Sequence, residues 1–507
     1  MNFTTCHLTK IMTKQLAFIV FLFIYQLKAQ ESQKPVNSNQ ENYEAELKAL
    51  GKKFSDSFYP NYSRIYALPE RAFISKIDSA RTDFDATLLK YQSTLDPTYV
   101  DGQKLEIKYY FDKLLIDYPL TNEIYGGKSM AIASKIPERL KGNLKDFNRP
   151  ELLSNSDFVN YVKAFLSLQT YLELKKGTYK NQDNQHLQAQ WKLIPKYVFN
   201  PKCRQYWQYE YLFNHIDNNG IKYIDNIYKN FTTTCKDTAF LNKVNKIYSE
   251  DVAGKQGHLI KTYKTVGAFQ LDMHLFVPKI KTNKRPAIVF FHGGSWSEGK
   301  PDWFFSTCRD YAQKGWVACA VEYRTFGRHG TLPFEAVMDA KSAIRWLRQN
   351  ADAYGIDTIK IVATGNSAGG HLALTTALVD NWNEKSDNLK FNAKPNALII
   401  NAGVYDLTDD ITAWIRKDLK DKNLAKEISP NYLIRKDFPP ALIFHGNLDK
   451  NVPYLTARKF GEDMVTIGNT NLTFLPLSGA GHFIWFDERQ ADKMAKARIK
   501  FLERLGY

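Results

Sequence analysis

The stretch GNSAG, residues 365–369, lies between the apolar run IKIVAT at residues 359–364 and the helix-like stretch GHLALTTALV at residues 370–379. A short buried strand, a tight turn and a helix are predicted in that order. Small residues around Ser367 leave room for a sharp turn that bulky side chains would obstruct. A serine exposed on such a turn is a candidate nucleophile, and a plain turn is the alternative. The helix that follows would direct its N-terminal amides towards a developing negative charge.

The chain after about residue 250 alternates short apolar runs with helical stretches such as residues 334–351. Runs rich in β-branched and aromatic residues without polar alternation are typical of strands buried on both faces of a parallel sheet. Residues 264–278 indicate an antiparallel hairpin at the edge of the sheet. The runs are AIVFF (287–291), WVACAV (316–321), IKIVAT (359–364), NALII (396–400), ALIF (441–444) and LTFLPL (472–477). This order predicts a doubly wound, mostly parallel α/β sheet with its functional residues at the carboxyl ends of the strands.

Candidates for the base and the acid follow the serine in the sequence. A serine hydroxyl needs a base within hydrogen-bond reach, and a carboxylate orients that base. Asp449 follows the run ALIF, and His482 follows the run LTFLPL, so both are predicted at strand ends in the order serine, acid, base. Asp406 is the alternative acid. His445 and His371 are poorer candidates for the base, because neither follows the acid on a terminal loop.

An oxyanion hole is predicted at HGGSW, residues 292–296, directly after the run AIVFF. Adjacent glycines allow backbone N–H groups to turn towards a substrate carbonyl oxygen. We expect the amides of Gly294 and Ser295 to act together with the N–H of Ala368, while Gly293 shapes the turn. His292 is expected to brace the loop. A glycine-rich turn without this role is the alternative.

These residues together resemble those of a known enzyme family. Residues 267–507 resemble α/β-hydrolase serine esterases related to the hormone-sensitive-lipase group, and look closest to the bacterial bifunctional feruloyl and acetylxylan esterase type. Four sets of motifs contribute to the resemblance: HGGSWSEGK; EYR with DAKSAIRWLR; TGNSAGGHLA; and PPALIFHGNLDKNVP with GAGH. The family's oxyanion motif is usually HGGG, and Ser295 stands at its third glycine. The acid loop also resembles that of prolyl-oligopeptidase-like peptidases, which leaves the substrate class open.

The resemblance implies roles for individual residues. Ser367, Asp449 and His482 take those of nucleophile, acid and base, and no metal ion or organic cofactor is required. The expected function is hydrolysis of carboxylic esters through an acyl-enzyme, with acetyl or feruloyl-type esters on a plant polysaccharide as expected substrates. An exopeptidase and an inactive binding protein with this fold are the alternatives. Residues 404–429 are expected to form a short cap that helps to choose the substrate.

The first half of the chain has a different pattern of apolar and polar residues. Residues 156–174 and 240–252 have apolar residues at helical spacing, with Ser156 as a candidate N-cap, and strict alternation is rare. The aromatic stretch YWQYEYLF, residues 206–213, is expected to pack against neighbouring helices. We therefore predict an all-α domain of unknown role at residues 30–255, followed by the hydrolase domain at residues 256–507.

The N-terminus predicts export. Lys10 and Lys14 precede the short apolar stretch LAFIVFLFIYQL at residues 16–27, and Ala29 stands at a plausible cleavage point. Residues 1–29 are thus predicted to be a signal peptide, and the mature protein to be secreted or periplasmic. The stretch is short for a membrane span, and no later one approaches that length, so no transmembrane span is expected.

Charge and cysteines add two further expectations. The net charge of +16 arises from lysines spread along the chain, without a nucleic-acid-binding motif, so no nucleic-acid partner is expected. In an exported protein Cys203 and Cys235 could form a disulfide, although spacing alone does not establish it. Cys319, inside WVACAV, is expected to be a small buried residue. The sequence leaves the oligomeric state open.

Overall fold

The computed structural model describes residues 38–127, 129–280, 284–416, 419 and 421–507. The predicted signal peptide and its cleavage point lie outside these residues. Contacts divide the chain into two compact units. The first contains the chain up to Thr178 together with Ala189–Glu210, and the second contains Tyr179–Gln188 together with Tyr211–Tyr507. The second unit therefore includes residues 211–255, which the sequence analysis assigned to the helical domain.

The N-terminal half is helical, as its spacing predicted. Its helices are α1 (Ser38–Phe58), α2 (Tyr62–Tyr66), α3 (Glu70–Tyr91), α4 (Pro97–Tyr125), α5 (Met130–Ala133), α6 (Ile136–Arg139), α7 (Ser156–Leu174), α8 (Gln185–Tyr197), α9 (Pro201–Asn219), α10 (Asp225–Thr234) and α11 (Thr238–Gly254). Helix α7 matches the predicted range, but its N-cap is Asn155, whose side chain accepts a hydrogen bond from the N–H of Phe158, instead of Ser156. Trp207 of the stretch YWQYEYLF is fully buried, which confirms a packing role for that ring.

The second unit contains one sheet of eight strands in the order β1-β2-β4-β3-β5-β6-β7-β8. Strands β1 and β2 form the predicted antiparallel hairpin at one edge, β2 pairs with β4 antiparallel, and the remaining pairs are parallel. The strands are β1 (Leu259–Val266), β2 (Phe269–Phe276), β3 (Arg285–Phe291), β4 (Val317–Val321), β5 (Ile356–Asn366), β6 (Ala397–Asn401), β7 (Ala441–Gly446) and β8 (Leu472–Leu477). All six predicted runs are strands.

Helices cover both faces of this sheet. They are α12 (Phe305–Gln313), α13 (Phe326–His329), α14 (Pro333–Gln349), α15 (Ala351–Tyr354), α16 (Ala368–Leu378), α17 (Ala413–Arg416), α18 (Tyr454–Thr466) and α19 (Glu488–Arg504). In β3, Val289 packs into one apolar core, and its neighbours Ile288 and Phe290 pack into the other. Because successive side chains of a strand point to opposite faces, a strand with two buried faces has a continuous apolar run.

The cysteines of the described chain are all buried and free. The possible disulfide between Cys203 and Cys235 is therefore absent from the structure. Cys319 is fully buried in β4, as predicted. Among the described residues, no helix combines the length and the apolar character that crossing a membrane requires.

A buried ion pair network lies between β1, β4 and α14. Lys264 donates to Asp339 over 2.6 Å, and Arg324 donates to the same carboxylate over 2.7 Å. The side chain of Asp339 is fully buried, and those of Lys264 and Arg324 are almost so. Glu384 also pairs with both cations.

Replacing Asp339 by Asn should lower the free energy of unfolding by about 3 kcal/mol or more, because two buried cations lose a charged partner. Glu462→Ala, which breaks an exposed pair with Arg458 within α18, is the control and should change it by less than about 0.5 kcal/mol. Urea denaturation measures both changes. A loss for Asp339→Asn no larger than that of the control would contradict this view of the network.

Candidate active site

Ser367 lies on a strained turn between β5 and α16. Its backbone has φ 55° and ψ −120°, in the left-handed half of the Ramachandran map that side chains rarely adopt. A Cβ added to Gly369 would lie 2.0 Å from the carbonyl oxygen of Phe291, and one added to Gly365 would lie 2.4 Å from that of Gly369. Only glycine fits at these two positions, because the turn presses against the end of β3. The sharp turn predicted from GNSAG is present.

Asn366, before the serine, has a partner that the sequence did not reveal. The side-chain amide of Asn401, at the end of β6, donates to the Asn366 Oδ1 over 3.0 Å. The carbonyl oxygen of Asn401 accepts a hydrogen bond from the N–H of Ser367 over 2.9 Å. Arg498 in turn donates to the Asn401 side chain over 3.1 Å. These contacts hold both residues of the turn from the neighbouring strand.

The structure brings Asp449 and His482 together. The Nδ1 of His482 lies 2.7 Å from the Oδ2 of Asp449, although the two residues are 33 positions apart. A Cβ at Gly446 would lie 2.3 Å from the carbonyl oxygen of Gly481, so the end of β7 fits closely against the loop after β8. Leu448 also donates its N–H to the carbonyl oxygen of Ala480 over 2.9 Å. Backbone contact between the two loops therefore sets the distance between Asp449 and His482.

Asp449 is buried and surrounded by donors. The N–H groups of Asn451 and Val452 donate to its Oδ1 over 2.9 Å each. The Nε2 of His445 lies 3.2 Å from its Oδ2 and 3.0 Å from the carbonyl oxygen of Val452. Burial alone would raise the pKa of Asp449, but hydrogen bonds from His445 and His482 outweigh it and hold that pKa well below its usual value. The carboxylate thus stays charged and orients the His482 ring.

The other candidates have structural partners. His371 is fully buried, and its Nε2–H donates to the carbonyl oxygen of Ile428 over 2.6 Å. Burial lowers the pKa of His371 to about 4, so its ring is neutral near pH 7. Asp406 accepts hydrogen bonds from the backbone N–H and the hydroxyl of Thr408. His445 contacts Asp449, so its ring supports the candidate acid.

The loop after β3 lies beside Ser367. A Cβ added to Gly293 would be 3.6 Å from the Cβ of Ser367, so this glycine lies beside the candidate nucleophile. Gly294, Ser295 and Trp296 have φ values of 99°, 53° and 55°, which form a left-handed turn. The N–H groups of Ser297 and Glu298 both donate to the carbonyl oxygen of Gly294. Among the described residues, no backbone carbonyl accepts the N–H of Gly294 or of Ser295.

Tyr323 and His292 fix the orientation of this loop. The Tyr323 hydroxyl donates to the carbonyl oxygens of His292 over 2.8 Å and of Gly293 over 3.2 Å. The Nδ1–H of His292 donates to the same Gly293 oxygen over 2.8 Å, and burial lowers the His292 pKa to about 4. Because a trans peptide directs its C=O and the next N–H in opposite directions, the N–H of Gly294 points away from Tyr323. His292 thus braces the loop.

Ala368 begins α16 directly after Ser367. The first N–H groups of a helix lack intrahelical acceptors and carry a partial positive charge. Among the described residues, no backbone carbonyl accepts the N–H of Ala368.

A family model and several known proteins are similar to part of the chain. The family model BD-FAE matches residues 273–464. Esterase LipC of Mycobacterium tuberculosis is 28% identical over 241 residues, which are 44% of this chain and 59% of that protein. A probable isoprenylcysteine alpha-carbonyl methylesterase of Arabidopsis thaliana, ICMEL1, is 24% identical over 216 residues, 39% of this chain and 45% of its own length. The chain therefore spans about half of the length of the curated relatives it matches.

Among solved structures, the chain is similar to the propionate-bound esterase Est2 of Thermogutta terrifontis. It is 36% identical, covers 50% of this chain and 96% of its own, and has a TM-score of 0.47. The part of the chain that the BD-FAE model matches lies within the mostly parallel sheet and its helices, and the matched curated relatives are named as esterases, in agreement with the resemblance of the motifs.

Proposed function

We propose that the protein is a serine esterase that hydrolyses carboxylic esters through Ser367, His482 and Asp449. The observation that supports this most strongly is the contact of 2.7 Å between His482 and Asp449, on loops that end two neighbouring strands. The strained Ser367 at the start of α16, with Gly293 against it, supports the role of nucleophile. The names of the relatives indicate the same chemistry.

The proposed reaction has two steps. The Oγ of Ser367 attacks the carbonyl carbon of the ester while His482 takes the proton of the hydroxyl. The π electrons of the carbonyl move to the carbonyl oxygen, which becomes the oxyanion. The N–H groups of Gly294, Ser295 and Ala368 stabilise that oxyanion, with Gly293 shaping the loop. When the carbonyl re-forms, the bond to the alcohol breaks, and the alcohol leaves with the proton from His482. Water, deprotonated by His482, then hydrolyses the acyl-enzyme in the same way and releases the acid.

Asp449 has a supporting role in both steps. Its carboxylate accepts the Nδ1–H of His482, which leaves the Nε2 of the same ring free to act as the base. A charged carboxylate also stabilises the imidazolium that forms once the proton has moved. The donors around Asp449 keep it ionised in the pH range in which the base works.

We propose that the substrates are acetyl or feruloyl-type esters on a plant carbohydrate. This substrate class is implied by the resemblance of the motifs. Residues 404–429 are the proposed short cap that helps to choose the substrate, and their described part contains α17 and short 3₁₀ turns. Residues 1–29 are the proposed export signal. Hydrolysis of a panel of acetyl, butyryl and feruloyl esters, together with acetylated xylan fragments, tests the substrate class.

Replacing Ser367 by Ala should lower kcat on p-nitrophenyl acetate by a factor on the order of 10⁶, because the nucleophile is lost. The control is Ser478→Ala, an exposed serine on the loop that leads to His482, which should keep wild-type kinetics. Steady-state release of p-nitrophenolate measures both. Ester turnover by a folded Ser367→Ala variant above the background rate would contradict the assignment.

The acid is tested by Asp449→Asn, which should lower kcat about 10⁴-fold, because the amide no longer fixes the histidine tautomer that the base requires. Asp406→Asn is the matched variant at the other candidate, whose carboxylate contacts Thr408, and should remain within about twofold of the wild type. The same assay decides between them. A larger loss in Asp406→Asn than in Asp449→Asn would transfer the role of acid to Asp406.

A further inference from the structure

The candidate oxyanion loop has an unfavourable backbone. Ser295 and Trp296 both have positive φ values, although each has a Cβ, and they follow Gly294 in the same left-handed region. Residues with such backbones keep them only when the surrounding structure holds them in place. The amides of this loop must also keep their direction within a narrow range in order to stabilise an oxyanion. The residues that hold the loop therefore bear on catalysis.

The short helix α13 holds one side of the loop. The N–H of Phe326 donates to the carbonyl oxygen of Trp296, and that of Gly327 donates to the carbonyl oxygen of Ser297, over 2.8 Å each. A Cβ added to Gly327 would lie 2.6 Å from the Ser297 oxygen, so the two backbones are in close contact. A displacement of α13 would therefore displace Trp296 and Ser297 with it.

Helix α13 is fixed by the segment Tyr179–Gln188. Arg328 of α13 is buried, and its guanidinium binds both oxygens of Asp183 over 2.9 and 2.6 Å. Its remaining amino group donates to Glu322, which follows β4. The Nδ1–H of His186 donates to the carbonyl oxygen of Gly327 over 2.9 Å. Asp183 and His186, both from this segment, thus bind α13, the helix that donates hydrogen bonds to the loop.

Residues 211–255 contribute to the same arrangement. Lys222 donates to Glu322 over 2.8 Å and to Asp272 over 2.6 Å, which links the carboxylate that binds Arg328 to the edge hairpin. Gly299, at the far end of the loop, donates its N–H to the carbonyl oxygen of Asn218 over 2.8 Å. Residues that precede position 255 therefore hold the loop directly at Gly299 and, through α13, at Trp296 and Ser297.

We propose that Asp183, together with His186, is a positioning residue for the oxyanion loop, so that the segment Tyr179–Gln188 belongs to the catalytic unit of the esterase. This inference rests on the proposed function. Asp183 touches no reacting atom; it acts through Arg328, Phe326 and Gly327 on the loop. Without the carboxylate, α13 loses a fixed bidentate partner, and the loop amides point less accurately at the oxyanion.

Such a role predicts a particular kinetic change. Contacts that matter only in the transition state alter kcat, whereas uniform binding alters KM. Removal of one oxyanion donor in a known hydrolase lowers kcat by about 10²–10³. A loop whose amides are all present but less well directed should lower kcat by a smaller factor than the loss of a donor does. We therefore expect a fall of about tenfold or more in kcat with little change in KM.

The test is Asp183→Asn in the full-length chain, with p-nitrophenyl acetate as the substrate and a trifluoromethyl ketone as the probe, since its adduct with serine places an oxyanion in the hole. We expect kcat to fall at least about tenfold, KM to stay within about twofold, and the affinity for the ketone to fall by the same factor as kcat/KM. Circular dichroism and thermal melting measure the folded fraction.

The matched control is Asp387→Asn. Asp387 pairs with Arg345 over 2.6 Å, and its side chain is 7% exposed, against 6% for Asp183. Its contacts are with α14, away from the oxyanion loop. We expect this control to keep kcat and the affinity for the ketone within about twofold of wild type. An equal fall in both variants would reduce the Asp183 pair to a structural ion pair and overturn the proposal, as would wild-type kcat in folded Asp183→Asn.

A second variant covers the case in which Asp183→Asn does not fold. His186→Phe keeps a ring beside Phe326, which His186 contacts with a centroid distance of 5.0 Å, but removes the hydrogen bond to Gly327. We expect a severalfold fall in kcat with KM unchanged, and unchanged kcat in this folded variant would overturn the proposal. The proposed function is judged separately, by whether the wild-type protein hydrolyses esters in a manner that depends on Ser367.

Discussion

The close contact between the end of β3 and the start of α16 is the constraint on which the site depends. Neither Gly365 nor Gly369 has room for a Cβ, because backbone oxygens of the chain stand 2.0 to 2.6 Å from where it would lie. This contact holds Ser367 in its strained conformation and places Gly293 against it. One backbone contact thus sets the positions of the candidate nucleophile and of the candidate oxyanion loop together.

The second half of the site follows the same physical pattern. The end of β7 meets the loop after β8 without room for a side chain at Gly446, and this contact places Asp449 beside His482. Side-chain hydrogen bonds then fix the loops and turns that these backbone contacts position. Tyr323 and His292 orient the Gly293 peptide, Asn401 holds the turn at Ser367, and Arg328 fixes the helix that donates hydrogen bonds to the candidate oxyanion loop.

The strands and the order of the candidate residues could be predicted from the sequence, because continuous apolar runs report burial on both faces, and parallel strands bring their carboxyl ends to one edge. The side-chain contacts that support these residues could not be predicted from the sequence. Asp183 and Arg328 are 145 positions apart, and Asn366 and Asn401 are 35 apart, so no local period signals either pair. For the same reason, helical spacing identified helices before residue 255 without showing that Tyr179–Gln188 and residues 211–255 belong with the sheet.

Covalent labelling of the intact protein by diethyl p-nitrophenyl phosphate, followed by peptide mapping with mass spectrometry, tests directly whether Ser367 is the nucleophile. An activated serine attacks the phosphorus and releases p-nitrophenolate, while the phosphoryl group stays on its oxygen. We expect a single diethylphosphoryl group on Ser367, release of p-nitrophenolate in an equal amount, and loss of ester hydrolysis in proportion to labelling. Labelling of a different residue in step with that loss, or full esterase activity with Ser367 completely labelled, would contradict it.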